Sequence, residues 1–123
     1  MKKLILAFLF LLPCTAVAET WTKGDTVFVF FMCQHERDIM DIAKADTDNE
    51  EIYSNMLMEK SSTGVCRRFY PPLNLAVQNV IASYKDHNKV ETCILELDDP
   101  KSSKAAGYIL AAGSPKSLKD KSL

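Results

Sequence analysis

The chain has few of the residues from which catalytic and metal sites are usually built. Its 123 residues include two histidines, four cysteines and four glycines. The cysteines and histidines show neither Cys-x-x-Cys nor His-x-x-x-His spacing, so the usual sequence signatures of metal and thiol-redox sites are absent. With only His35 and His87 to serve as a histidine base, a hydrolytic constellation is also disfavoured. The acidic group at residues 46–51 lacks the glycine and the spacing of a calcium loop.

The chain also lacks long apolar runs and an excess of positive charge. A spanning helix needs roughly 20 apolar residues, whereas the apolar run at residues 4–12 has nine and ends before Pro13. The formal net charge is −1, and binding to nucleic acid or to an anionic membrane requires a basic surface. The only basic and aromatic cluster, residues 67–70, is interpreted as a solvated strand edge or loop.

The first 18 residues have the three parts of a cleavable secretory signal. Lys2 and Lys3 precede the apolar run, and small residues occupy the positions that a signal peptidase reads, which predicts cleavage between Ala18 and Glu19. A lipoprotein at Cys14 is disfavoured because Pro13, rather than a small residue, precedes it. We therefore expect an exported protein, with the bacterial periplasm as the first choice of compartment and secretion as the second.

Cleavage would leave one small domain. The mature chain would have 105 residues and, without Lys2 and Lys3, 13 basic residues against 16 acidic ones, for a net charge of −3. We expect a single domain at residues 19–113, followed by a flexible polar tail at 114–123. We do not expect the protein to bind nucleic acid, or to bind a membrane once the signal is cleaved. The sequence implies no cofactor.

The mature chain keeps three cysteines, an odd number in an oxidising compartment. Cys33 and Cys66 lie at the ends of predicted elements, where a bridge is easily accommodated, whereas Cys93 lies inside a strand-like run. We therefore favour a Cys33–Cys66 disulfide, with Cys93 as a buried free thiol. An exposed Cys93 would instead permit a disulfide-linked dimer.

Hydrophobic patterning predicts a strand followed by two helices. Residues 26–33 are continuously apolar, which predicts a central strand covered on both faces. Residues 36–45 show helical spacing of apolar side chains. Residues 47–50 have the form of a capping box that starts a second helix, which should run to about residue 60 and end before Gly64.

The remaining segments are predicted as strands. Residues 73–84 fit either a helix or a strand; we favour a strand because a polar turn at 85–89 and a β-rich run at 90–97 complete a hairpin. A last strand is expected at 107–112. The order of elements predicts an α+β fold, with two short helices on one face of a roughly four-stranded mixed or antiparallel sheet.

Three functions are compatible with these features. The favoured one is a non-enzymatic binding or accessory protein that contacts an unidentified protein partner in the cell envelope. The second is a soft-metal protein binding copper or zinc through Cys33 and His35, since thiolate and imidazole suit those ions. The third is a thiol redox protein, since Cys33 precedes a predicted helix whose N-terminus would stabilise a thiolate.

Overall fold

A computed structural model of the chain describes residues 20–102 and 104–116. The predicted signal peptide, its cleavage site and most of the predicted tail lie outside these residues. The elements, in chain order, are β1 (Thr20–Trp21), β2 (Thr26–Cys33), α1 (Glu36–Asp48), α2 (Glu50–Ser62), β3 (Cys66–Lys85), β4 (Glu91–Asp98), β5 (Ala105–Ala112) and β6 (Ser114–Pro115).

Four antiparallel strands form the main sheet in the order β2-β3-β4-β5. The sheet closes on itself through a bridge between β2 and β5 at Cys33 and Tyr108. The predicted α+β fold is confirmed, including the order of strand, two helices and three strands.

The ambiguous segment at residues 73–84 is a strand, as predicted, and it belongs to a longer one. β3 has 20 residues. Its first part, as far as Ala76, pairs with β2, and its second part, from Ala76 to Lys85, pairs with β4. The strand is longer than its alternating pattern suggests because its first half pairs with β2 on one edge and its second half pairs with β4 on the other. The turn after Lys85 joins β3 to β4 in the predicted hairpin.

The prediction that residues 26–33 are covered on both faces is wrong. Val29 and Cys33 are buried, but Phe28 and Phe30 are exposed. β2 pairs with β3 along most of its length and with β5 only at Cys33. The helices cover the end of β2 near Cys33, so the outer face nearer its start carries aromatic side chains without a protein layer over them.

The core has two apolar layers on either side of the sheet. The first lies inside the closed sheet and contains Trp21, Val29, Leu75, Val77, Val80, Cys93, Leu95, Leu97 and Ile109. The second lies between the sheet and the helices and contains Cys33, Ile39, Ile42, Ala43, Cys66, Ile81, Ala82, Tyr84 and Ile94. Most of the fully buried side chains are aliphatic, as expected of a domain stabilised by hydrophobic packing.

The helix boundary differs from the predicted capping box. The cap of α2 is Asn49, whose side-chain oxygen accepts a hydrogen bond from the Ile52 amide at 2.9 Å. The Thr47 hydroxyl donates instead to the Lys44 carbonyl, because α1 continues to Asp48 and Thr47 is still helical. A single residue, Asn49, therefore separates the two helices, and its extended backbone makes the corner between them.

The second helix packs on the first through half-buried apolar side chains, among them Tyr53, Met56 and Leu57, and through a charged contact. α2 has no fully buried residue; its Lys60 ammonium donates to Asp38 and Asp41 of α1, both at 2.9 Å. These hydrogen bonds raise the pKa of Lys60, Asp41 contributing most. Neither helix is long and apolar enough to cross a membrane, as far as the described residues go.

The domain extends slightly beyond the predicted boundary at residue 113. Ser114 and Pro115 form β6, which pairs in parallel with β1. The Trp21 indole N–H donates to the Ala112 carbonyl at 2.9 Å, which anchors β1 beneath the closed sheet. The first residues of the predicted tail are therefore part of the folded domain; residues 117–123 lie outside the described part.

Candidate functional site

The Cys33–Cys66 disulfide is present, with a Cα–Cα distance of 3.9 Å. The two residues face each other across β2 and β3, and both are buried beneath the helices. Because each sulfur is bonded to the other, neither is available as a thiolate in this oxidised form. The bridge leaves Cys33 without a thiolate for a metal ion. A disulfide could still take part in thiol exchange, but Cys33 and Cys66 are 0% and 1% exposed, so an attacking thiolate cannot reach either sulfur in the folded protein.

Cys93 is the free cysteine of the described residues and is buried. Its thiol donates a hydrogen bond to the Gly113 carbonyl at 3.2 Å. Burial raises the pKa of Cys93 to about 11, with a further contribution from Glu91. A protonated, buried thiol is a poor nucleophile, so the structure argues against a disulfide-linked dimer through Cys93.

His35 precedes α1 as its N-terminal flanking residue and makes no side-chain capping bond. Its nearest carboxylate is Asp38, at 3.7 Å from the ring. Within residues 20–102 and 104–116, no three His, Cys, Asp or Glu side chains converge as metal ligands would. The candidate ligands Cys33 and His35 therefore gain no additional donor from the fold.

His87 lies in the turn between β3 and β4, and its side chain is only 15% exposed. Its Nδ1 lies 3.0 Å from the Asp46 carbonyl oxygen and 3.2 Å from the Asp46 carboxylate, and its Nε2 lies 3.1 Å from Glu50. Asp46 also accepts a hydrogen bond from the buried Tyr84 hydroxyl at 2.8 Å. We call Asp46, Glu50, Tyr84 and His87 the polar cluster.

The polar cluster favours a charged imidazole. Since both ring nitrogens face oxygen acceptors, the doubly protonated ring can donate to each of them. The backbone hydrogen bond to Asp46 is the largest cause of a raised pKa at His87, and the Asp46 and Glu50 charges add to it. The cluster connects the corner between the helices to the β3–β4 hairpin, and its partners lie 37 and 41 residues from His87, which is why sequence inspection missed it.

Three exposed aromatic side chains lie on the ribbon formed by β2 and β3. Phe28 is 67% exposed, Phe30 57% and Tyr70 94%. Phe28 and Phe30 flank the buried Val29 on β2, and both are exposed. The register shifts between Val29 and Phe31, so that residues 69–72 of β3, which include Tyr70, lie opposite Phe30 alone. We call Phe28, Phe30 and Tyr70 the aromatic surface.

The sequence predicted the strand that carries Phe28 and Phe30, but not the exposure of these two side chains. The strand at residues 26–33 was recognised, but its continuous apolar run was interpreted as buried on both faces rather than as one buried and one exposed face. Arg67 and Arg68 lie at a solvated strand edge, as expected; their guanidinium groups lie 5.7 Å from the Phe69 ring and 5.9 Å from the Phe31 ring, respectively.

Comparison of the chain with protein-family models, with curated proteins and with solved structures finds no match.

Proposed function

We propose that this chain is a small exported, non-enzymatic binding protein that contacts a protein partner in the cell envelope through its aromatic surface. The observation that carries the proposal is the exposure of three large aromatic side chains on one ribbon, when most other large apolar residues of the described domain are buried or half-buried.

Exposed aromatic side chains leave apolar surface in contact with water, which is unfavourable, and binding of a partner would bury that surface. Soluble proteins rarely leave several large apolar side chains together in water, and such patches mark interaction sites. Aromatic side chains also bury a large area while losing few rotatable bonds, so they contribute strongly to interfaces. Phe28, Phe30 and Tyr70 therefore have the composition of an interface core.

The remaining features agree with a binding role in an oxidising compartment. The signal-like N-terminus predicts export, and a buried structural disulfide persists where thiols are oxidised. The Cys33 sulfur is bonded and Cys93 is buried. These two observations favour binding over metal or thiol chemistry.

The test compares two double variants that each remove two exposed apolar side chains. Phe28→Ser with Phe30→Ser alters the aromatic surface, while Ile52→Ser with Met58→Ser alters α2, where both residues are also exposed. Each oxidised protein is immobilised and incubated with an envelope extract of the cells that make it, and retained proteins are identified by mass. The partner is then purified and its affinity measured.

We expect one discrete partner whose affinity falls at least tenfold in the aromatic variant, because removing interface hot spots costs about 2 kcal/mol or more each. The α2 variant should bind within about twofold of the unaltered protein, as expected for residues outside an interface. Equal affinities for the two variants would contradict the proposal. If the unaltered protein and the α2 variant self-associate and the aromatic variant does not, the partner is a second copy of this chain.

A further inference from the structure

A separate apolar cavity opens between the helices and the sheet. It has a volume of about 190 Å³ and is lined by Phe31, Ile39, Ile42, Tyr53, Leu57, Arg68 and Leu110. Phe31 belongs to β2 and Leu110 to β5, and these two strands pair only at Cys33 and Tyr108. The cavity therefore occupies the region where the two strands part beneath the helices.

The size of the cavity limits the ligand to about one ring. A dry cavity of about 150 Å³ lined by aliphatic and aromatic side chains accommodates benzene. Pockets for cofactors and drug-sized molecules are usually about 300 Å³ or larger. The volume thus fits a single six-membered ring with a short substituent and is too small for a nucleotide.

The charges around the cavity set the orientation and the charge of the ligand. Arg68 is the only cationic residue in the lining, its guanidinium lies 5.9 Å from the Phe31 ring, and it forms no salt bridge with any described carboxylate. The negative charges lie near Tyr53, whose pKa is raised by burial and by the carboxylates of Asp46, Glu50 and Asp86. An anionic group is therefore favoured at Arg68 and disfavoured at Tyr53.

From this cavity and its unpaired cation, we propose that the protein binds a small aryl carboxylate, with the ring between the half-buried Phe31, Leu57 and Leu110 and the carboxylate on Arg68. The guanidinium fork of arginine matches a carboxylate with two parallel N–H donors. The ring gains the hydrophobic free energy of leaving water, which the largely aliphatic lining provides. This site is separate from the aromatic surface, and either proposal can fail without the other.

The test titrates the oxidised protein with phenylacetate and with phenylacetamide, which keeps the ring and lacks the charge. Backbone amide shifts measured by NMR locate the site and give the affinity. The variant Arg68→Gln removes the cation; Arg67→Gln is the matched control, since Arg67 is the adjacent arginine on β3 and packs over Phe69 instead. Both arginines are exposed, so neither change should prevent folding.

We expect saturable shifts at residues 39, 42, 57 and 110 with phenylacetate. Binding should weaken about three- to tenfold either in Arg68→Gln or with phenylacetamide, since an exposed charge-assisted pair contributes modestly. Arg67→Gln should bind phenylacetate normally, and Arg68→Gln should not change the affinity for phenylacetamide. The absence of saturable shifts, or equal losses in the two arginine variants, would overturn the assignment.

Discussion

At the scale of single residues, Asp46 connects three parts of the fold that are distant in the sequence. It lies in the last turn of α1, and its side chain accepts hydrogen bonds from Tyr84 near the end of β3 and from His87 in the turn that follows. Its backbone carbonyl also accepts the His87 amide N–H at 2.8 Å. A buried carboxylate must have such partners, because its desolvation is costly when they are missing.

Removing the Tyr84 hydroxyl should destabilise the protein without creating a large cavity. In Tyr84→Phe, the buried Asp46 oxygen loses its donor, and an unsatisfied buried acceptor costs about 1–3 kcal/mol. We expect the free energy of unfolding in urea to fall by that amount. Tyr108→Phe is the control, since its hydroxyl lies 3.4 Å from Glu96 at the limit of hydrogen bonding and should change stability by less than about 0.5 kcal/mol. Equal losses in both variants would show that Asp46 does not depend on Tyr84.

The polar cluster should make stability depend on pH through His87. The folded pKa of His87 is raised, so its contribution is fully present below the unfolded pKa of about 6.5 and is lost as the pH rises through the folded value. In His87→Gln, the loss of unfolding free energy relative to the unaltered protein should be largest near pH 6 and should shrink at alkaline pH.

The measurement is urea unfolding across this range, with His35→Gln as the control. The His35 ring is exposed and its nearest carboxylate is 3.7 Å away, so this variant should show little change at any pH. A loss in His87→Gln that is equally large at acidic and alkaline pH would mean that the His87 side chain stabilises the corner without its charge.

At the scale of elements, the contact between β2 and β5 depends on a glycine. A Cβ atom at Gly107 would lie 2.7 Å from the Cys33 carbonyl oxygen and 2.7 Å from the Met32 side chain. Met32 could move, but the Cys33 backbone is held by the disulfide and by its pairing with β3 and β5. Only glycine permits the two strands to approach this closely.

Gly107→Ala should therefore destabilise the closed sheet. Overpacking of a rigid contact costs about 1–3 kcal/mol, and we expect a loss in this range in thermal or urea unfolding. Ala105→Ser, at an exposed position of the same strand, should stay within about 0.5 kcal/mol of the unaltered protein. A neutral or stabilising Gly107→Ala would show that β2 and β5 can separate without cost.

The types of the elements were predictable from the sequence, whereas their environment was not. Apolar runs, turn residues and helical spacing identified β2 to β5, the two helices and the hairpin, because these signals are local. The two-residue strands β1 and β6 were not predicted. The exposure of Phe28 and Phe30 depends on how far the helices reach over the sheet, which no local pattern encodes. For the same reason, the polar cluster and the cavity were missed, since their residues converge only in the folded chain.

At the scale of the whole molecule, the disulfide closes a long segment of chain. Cys33 and Cys66 are 33 residues apart, with both helices between them. The chain-entropy model assigns a loop of this length roughly 3 to 4 kcal/mol of stabilisation, a substantial share of the about 5–15 kcal/mol typical of a domain. The bridge joins the last residue of β2 to the first residue of β3, and both helices lie in the chain between them.

The double variant Cys33→Ala with Cys66→Ala should consequently be less stable by roughly 3 kcal/mol in urea unfolding. A reductant should bring the unaltered protein down to a similar stability and should leave the variant unchanged, which separates the bridge from the change of side chain. A variant as stable as the oxidised protein would show that the bridge contributes little.

Signal cleavage and the disulfide can be tested together by intact mass spectrometry of the protein expressed from the full sequence in bacterial cells, with thiol alkylation before and after denaturation. We expect a metal-free chain that begins at Glu19, with one disulfide and one thiol that is alkylated only after denaturation. A chain that keeps residues 1–18, or that carries three free thiols and the mass of a bound copper or zinc ion, would contradict an exported binding protein with a structural disulfide.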